Sequence, residues 1–125
     1  MPGPAAVDVL LERARADLDR VQPEQLAAEV AEGAVVVDIR PADQRARDGE
    51  LPGAVVIDRN VLEWRLDPTS PHRAPMDFDH QSRVIVVCHE GYSSSLAAAT
   101  LRELGLARAT DLIGGYQAWC AVSPP

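Results

Sequence analysis

Val86-Val87-Cys88-His89-Glu90-Gly91-Tyr92-Ser93-Ser94-Ser95 is the stretch on which the fold turns. It begins at the end of a mostly apolar run, Arg83 to Val87, of the kind that forms a strand buried on both faces. A cysteine closes the run, a short polar loop with one glycine follows, and LAAATLREL continues as a helix. The spacing of Leu96, Thr100, Leu101 and Leu104 predicts the inner stripe of that helix, and Gly105 stops it. Strand, tight loop and helix in that order are half of a βαβ unit.

The same grammar recurs on both sides. AVVVDIR is a second apolar run, closed by Asp38 and Arg40, and Pro41 then opens a short helix ending at Gly49. Leu51-Pro52-Gly53 makes a turn into another buried strand, Ala54 to Ile57. NVLEWRLD supplies a helical turn or two, and the Pro-rich segment 68–81 is a loop. A last strand, Ala109 to Ile113, leads through Gly114-Gly115 into a final helix carrying Tyr116 and Trp119; Trp64 and Trp119 are expected in the core. Upstream, Val7, Leu10, Leu11, Ala14, Leu18 and Val21 fall at helical spacing, which predicts an amphipathic helix in residues 1–20. Pro23 opens a second helix that turns Leu26 and Val30 inward and ends at Gly33. Apolar strands alternating with helices define an α/β domain with a mainly parallel sheet. Residues 21–125 then form one domain preceded by the extra helix, with no internal repeat. In such sheets ligands bind beyond the carboxyl ends of the strands, so Cys88, Asp38, Asp58 and Gly114 are expected at one edge.

Composition narrows the function. The 125 residues carry 46% hydrophobic side chains, enough for a core without help from metals or bridges, and a formal charge of −7. That balance argues against a general nucleic-acid or membrane-surface binder. All the basic residues are arginine. The two cysteines, Cys88 and Cys120, make no disulfide framework, the N-terminal stretch does not read as a secretory signal, and no run is long enough to span a membrane. A reducing cytoplasm is the expected home, where a free thiol stays reactive.

The thiolate is the nucleophilic form of cysteine, and a helix N-terminus or a nest of amide N–H groups favours it. The loop from His89 to Ser93 is expected to curl over Cys88 with its amides inward. Gly91 permits the tight conformation. Ser93 or Ser94 caps the helix, and the remaining hydroxyls donate to sulfur. Burial alone would make Cys88 an inert core residue, a common fate of free cysteine. The coincidence of strand end, thiol, glycine loop, serine cap and helix argues for an anion cradle.

With these motifs in place, the chain resembles the single-domain type of the rhodanese-like sulfurtransferase family. Cys88-His89-Glu90-Gly91-Tyr92-Ser93-Ser94 is similar to the family's Cys-x-x-Gly-x-Arg/Ser-Ser/Thr loop. Asp38-Ile39-Arg40 followed by Gly49-Glu50-Leu51-Pro52-Gly53-Ala54 resembles its first signature, and Leu112-Ile113-Gly114-Gly115-Tyr116-Gln117-Ala118-Trp119 its last. The resemblance runs from about residue 21 to residue 120. It implies a three-layer fold with a five-stranded sheet, and sulfur transfer in which Cys88 takes a sulfane sulfur and passes it to a thiol or cyanide. The amides of Glu90, Gly91, Tyr92 and Ser93 would hold the anionic sulfur. It calls for no metal or cofactor; its partners are a small-molecule sulfur donor and a thiol acceptor, with a sulfur-carrier protein among the acceptors and donors it allows.

Three departures carry weight. Glu50-Leu51 replaces the usual His-Ile, and Leu51 still serves as the apolar plug. Ser93 stands where arginine is frequent. Glu90 brings a carboxylate into the loop, opposing both the thiolate and a dianionic donor such as thiosulfate; a protonated His89 would partly offset it. A phosphatase or arsenate reductase is the nearest enzymatic alternative, but its Cys-x5-Arg loop would need arginine where Ser94 stands. A non-catalytic docking or regulatory domain is the alternative from another class. A redox pair of Cys88 with Cys120 needs the two Cα atoms within about 7 Å, which the placement of Cys120 on the last helix disfavours. Asp38 and Arg40 read as a structural ion pair, Arg59 as a substrate contact just past a strand end, and Arg65, His72 and Arg73 as further candidates around the long loop, Arg73 the weakest.

Overall fold

The sheet grows from two nearly all-apolar strands. In the computed structural model, which describes residues 3–123, β1 (Val35–Asp38) and β3 (Val84–Val87) lie side by side with Val37 opposite Val86 and Asp38 opposite Val87. Every residue of β3 is buried. β2 (Val55–Val56) pairs with the outer edge of β1 and β4 (Thr110–Asp111) with that of β3, giving a parallel four-stranded sheet in the order β2-β1-β3-β4. The expected fifth strand is reduced to a single parallel bridge from Val21 to Leu112. The ladder cannot lengthen there, because Pro23 lacks an N–H and starts a 3₁₀ turn, Pro23–Gln25.

Alternation along β3 sorts the core into two layers. Val84 and Val86 face Leu62, Leu66, Phe78, Ala97 and Leu101 on one side. Ile85 and Val87 face Leu26, Leu51, Leu112 and Tyr116 on the other. α4 (Leu62–Arg65) and α5 (Ser93–Glu103) cover the first face; α2 (Leu26–Ala31) and α6 (Gly115–Val122) cover the second. Each fully buried leucine or valine contributes roughly 1.5–3 kcal/mol relative to its exposed state. α3 (Ala42–Asp48) crosses from β1 towards β2 on the rim.

Several expectations are corrected. The stripe that α5 buries is Ser94, Ser95, Ala97, Ala98 and Leu101, with Leu96, Thr100 and Leu104 only half-buried. Small side chains let this helix lie close on the sheet, so the larger ones rotate to the flanks. Val30 and Val56 are exposed, the first because α2 is only six residues long and the second because β2 is an edge strand. Trp64 is also outside the core, at 57% exposure. The first helix, α1 (Ala6–Arg15), packs along α5 but leaves Val7 and Leu10 exposed, and Leu18 and Val21 lie beyond its end. Among the described residues no helix is long and apolar enough to cross a membrane.

Candidate functional site

Asp38 is the last residue of β1, and Cys88 and Gly114 follow the carboxyl ends of β3 and β4, all at one edge, as the parallel topology requires. The Cys88 side chain is 7% exposed and sits on the core at the floor of a pocket of about 390 Å³. Ile39, Arg40, Pro41 and Gln44 form one wall; His89, Glu90, Tyr92 and Ser93 form the other. Cys88 is therefore largely buried yet lines an open pocket.

Backbone amides, rather than hydroxyls, bind the sulfur, and of the four expected ones (Glu90, Gly91, Tyr92 and Ser93) only that of Gly91 does so, joined by Ser94. Gly91 N–H donates to Cys88 Sγ at 3.1 Å and Ser94 N–H at 3.4 Å. The loop takes this shape because its carbonyls are pulled outward. Cys88 C=O accepts from Tyr116 N–H at 2.8 Å and His89 C=O from Gln117 N–H at 3.1 Å, so the first turn of α6 holds the back of the loop. Gly91 C=O accepts from Arg15 Nη2 at 2.8 Å and Arg20 Nη2 at 3.1 Å. With carbonyls tethered outside, the N–H groups converge within, an arrangement that favours an anion at the centre. The N-terminus of α5 adds its dipole to the same point.

Two glycines make the close approach possible. Gly91 has φ +86°, and a Cβ there would meet Gly114 N at 2.7 Å. Gly115 has φ +63°, and a Cβ there would fall 2.5 Å from Cys88 O and 2.8 Å from Gly91 N. Gly115→Ala is accordingly expected to push the loop off its amide-inward shape and to slow alkylation of Cys88 at least about tenfold, alongside a loss of roughly 1–3 kcal/mol from the strained backbone. Iodoacetamide kinetics and urea unfolding on the same sample measure both.

Charge around the pocket is nearly all committed. Asp38 and Arg40 form a fully buried pair, Nη2 to Oδ2 2.8 Å, and Arg40 Nη2 also donates to Gly49 C=O at 2.9 Å. The Arg40 guanidinium lies 3.8 Å over the Tyr116 ring, whose hydroxyl donates to Asp48 C=O. This ties the loop after α3 to α6. Burial pushes the Tyr116 hydroxyl up from its ordinary range. The hydrogen bond from Arg47 holds the Asp48 carboxyl below its ordinary range, and that carboxylate stands 3.8 Å from His89 Nδ1. His89 Nδ1 is buried without a hydrogen-bond partner. Glu90 is exposed at the rim, and Tyr92 is 58% exposed.

His89, Glu90, Gly91, Tyr92, Ser93 and Ser94 are thus all brought around Cys88, but not in every expected role. Tyr92, not a serine, occupies the cap position of α5, with no side-chain cap bond. The hydroxyls of Ser94 and Ser95 donate to Asp111 Oδ2 at 2.8 and 2.7 Å instead of to sulfur, because a fully buried carboxylate is the stronger acceptor. Arg59 pairs with Glu63 at 2.8 Å and does not line the pocket. Asp58 accepts from Asn60 N–H, starting the turn at 59–61. Arg65 donates to His72 C=O, and Arg73 to the carbonyls of Pro68 and Phe78, so these candidates secure the long loop. Cys120 is exposed and free.

Sequence reasoning missed Asp111, Arg15 and Arg20. Asp111 was legible as a carboxylate inside an otherwise apolar strand, which demands buried partners. It accepts Arg20 Nε at 2.8 Å and Nη2 at 3.2 Å in addition to the two serines. Arg15 and Arg20 carried no signal, since surface arginines on a helix and its trailing loop look alike.

Comparison with known proteins places the fold in a family. The family model described as rhodanese-like domain matches residues 22–122. The thiosulfate sulfurtransferase GlpE of Stutzerimonas stutzeri (strain A1501) is 36% identical over 103 residues, 82% of this chain and 85% of that protein. A structure from Rhodopseudomonas palustris CGA009, described as a protein of unknown function and possible tyrosine phosphatase, superposes with TM-score 0.82 at 29% identity, covering 100% of this chain and 98% of that one. The human single-domain sulfurtransferase TSTD1 shares the fold with TM-score 0.72 at 24% identity, over 84% of this chain and 97% of its own.

Proposed function

The chain belongs to the rhodanese-like sulfurtransferase family, and on that footing we propose that Cys88 moves a sulfane sulfur from a small donor to a thiol or cyanide acceptor through a persulfide. The observation that carries the reading is the pair of amide N–H bonds on Cys88 Sγ at the floor of an open pocket. The Cys88 thiolate attacks the sulfane sulfur of a donor such as thiosulfate. A sulfur–sulfur bond forms, the donor's own sulfur–sulfur bond breaks, and sulfite leaves with that electron pair. The outer persulfide sulfur carries the negative charge, which the backbone N–H groups beside Cys88 stabilise. An acceptor thiolate or cyanide then attacks it, and Cys88 returns as thiolate. No oxidant or metal enters the balance.

A phosphatase would need a guanidinium fork on a tetrahedral anion. Ser94 stands at that position and spends its hydroxyl on Asp111, while Arg40, the arginine that lines the pocket, is paired with Asp38. The docking-domain alternative would have no use for a recessed, amide-bound thiol. Donor choice follows from Glu90: its carboxylate at the rim repels thiosulfate, and a carrier protein presenting a persulfide would meet less opposition. Glu90→Gln is expected to raise kcat/KM for thiosulfate about three- to tenfold, with little change for a neutral donor. Cyanolysis assays, following thiocyanate with both donor types, measure this, and parallel double-reciprocal lines are expected from the two-step exchange. Absence of thiocyanate with every sulfane donor would overturn the reading in favour of a docking domain.

A further inference from the structure

Arg15 and Arg20 lie outside the residues matched by the family model, yet both reach the loop over Cys88. Arg15 comes from the last turn of α1 and Arg20 from the chain just after it. Their guanidinium groups converge on one atom, Gly91 O, at 2.8 and 3.1 Å. Arg20 is itself gripped by both oxygens of buried Asp111, and Arg15 Nε donates to Ser95 Oγ at 3.0 Å. Ser95 Oγ in turn donates to Asp111 at 2.7 Å. The contacts close into a ring: Arg15, Ser95, Asp111, Arg20 and the Gly91 carbonyl. Arg15 also stacks over the exposed Tyr92 ring at 5.6 Å, covering the loop from outside.

We propose that Arg15 and Arg20 are positioning residues for Cys88, which makes the N-terminal helix a working part of the sulfur site. Neither touches the sulfur or lines its pocket. They act through two peptide groups. Tethering the Gly91 carbonyl outside holds Gly91 in the turn whose own N–H bonds Sγ. Through Asp111 the ring also holds Ser94, whose hydroxyl bonds that carboxylate while its amide bonds Sγ. With two guanidinium groups against one carboxylate, the ring has one net positive charge behind the loop, and it favours an anion in front. The other charges around Cys88 are Glu90 and His89 in the loop, Asp48 facing His89, and the Asp38–Arg40 pair at the end of β1. Of these, the ring is the contribution from outside the matched family region.

This rests on Cys88 being the reacting atom, but its test needs no sulfur donor. In a Cys120→Ser background, so that one thiol reports, the rate of Cys88 alkylation by iodoacetamide is followed against pH for the full chain. Arg15→Met is expected to slow alkylation at pH ~7 roughly three- to tenfold and to move the rate curve to higher pH, as loss of a nearby cation does. Arg15→Lys is expected to recover at least about half of that loss, since an ammonium retains the charge and one donor for Gly91 O. Arg20→Gln should act in the same direction with intact circular dichroism. Curves for Arg15→Met and Arg20→Gln that coincide with the parent overturn the proposal while leaving sulfur transfer standing. A parent whose Cys88 alkylates quickly but never accepts sulfur overturns the sulfur-transfer reading while leaving the positioning role standing.

Discussion

Cys88→Ser is expected to lose sulfur transfer by at least about a thousandfold, the scale on which removal of a covalent nucleophile acts. Serine fits the same space, and its oxygen still accepts the Gly91 and Ser94 amides that reach Sγ. The fold should therefore persist, with circular dichroism and the unfolding midpoint close to the parent's. What disappears is chemistry: a serine hydroxyl is scarcely ionised at neutral pH, and oxygen cannot carry sulfur as a persulfide does. Cys120→Ser is the matched control. That thiol is exposed and takes no part in the pocket, so turnover should stay within about twofold. If Cys88→Ser kept turnover and Cys120→Ser lost it, the wrong cysteine would have been assigned.

Asp38→Ala is expected to cost about 3–5 kcal/mol of stability, the largest effect on folding predicted for any single side chain here. Both partners of the Asp38–Arg40 pair are fully buried. Asp38 accepts from Arg40 N–H, Nε and Nη2, so its loss strands a guanidinium in the interior. Arg40 Nη1 already lacks a hydrogen-bond partner there, which leaves little to compensate. The damage should spread, since Arg40 also holds Gly49 C=O and packs on Tyr116, whose helix binds the carbonyls of Cys88 and His89. Urea unfolding monitored by tryptophan fluorescence measures the loss, and a change under about 1 kcal/mol would show that Arg40 finds another partner or water.

The strands that make the fold were legible because burial on both faces writes a continuous apolar run. Val84–Val87 and Val35–Val37 could hardly be anything else. The loop was legible for a different reason: Gly91 and Gly114-Gly115 mark places where backbones touch, and they do touch. Side-chain partners were far less visible. Ser93 or Ser94 was read as the cap and the other serine hydroxyls as donors to sulfur, partners near in sequence, whereas Ser94 and Ser95 find Asp111, 17 and 16 residues away. Arg15 meets Gly91 across 76 residues, and no local pattern encodes such a meeting. Arg59 failed the opposite way: placed near the site by a strand end, it found Glu63 one helical turn on. Amphipathic spacing likewise overstated burial at Val30, where a short helix offers only Leu26 to the core.

The central claim is that the two amides on Cys88 Sγ stabilise a negatively charged sulfur chain, so that Cys88 can hold a second sulfur. Intact-protein mass spectrometry after brief exposure to thiosulfate, mercaptopyruvate or a small persulfide tests it most directly. The expected result is a gain of about 32 Da, one sulfur atom, mapped to Cys88, removed by cyanide and absent in Cys88→Ser. No mass gain with any of the donors, in protein whose Cys88 still alkylates, would contradict it.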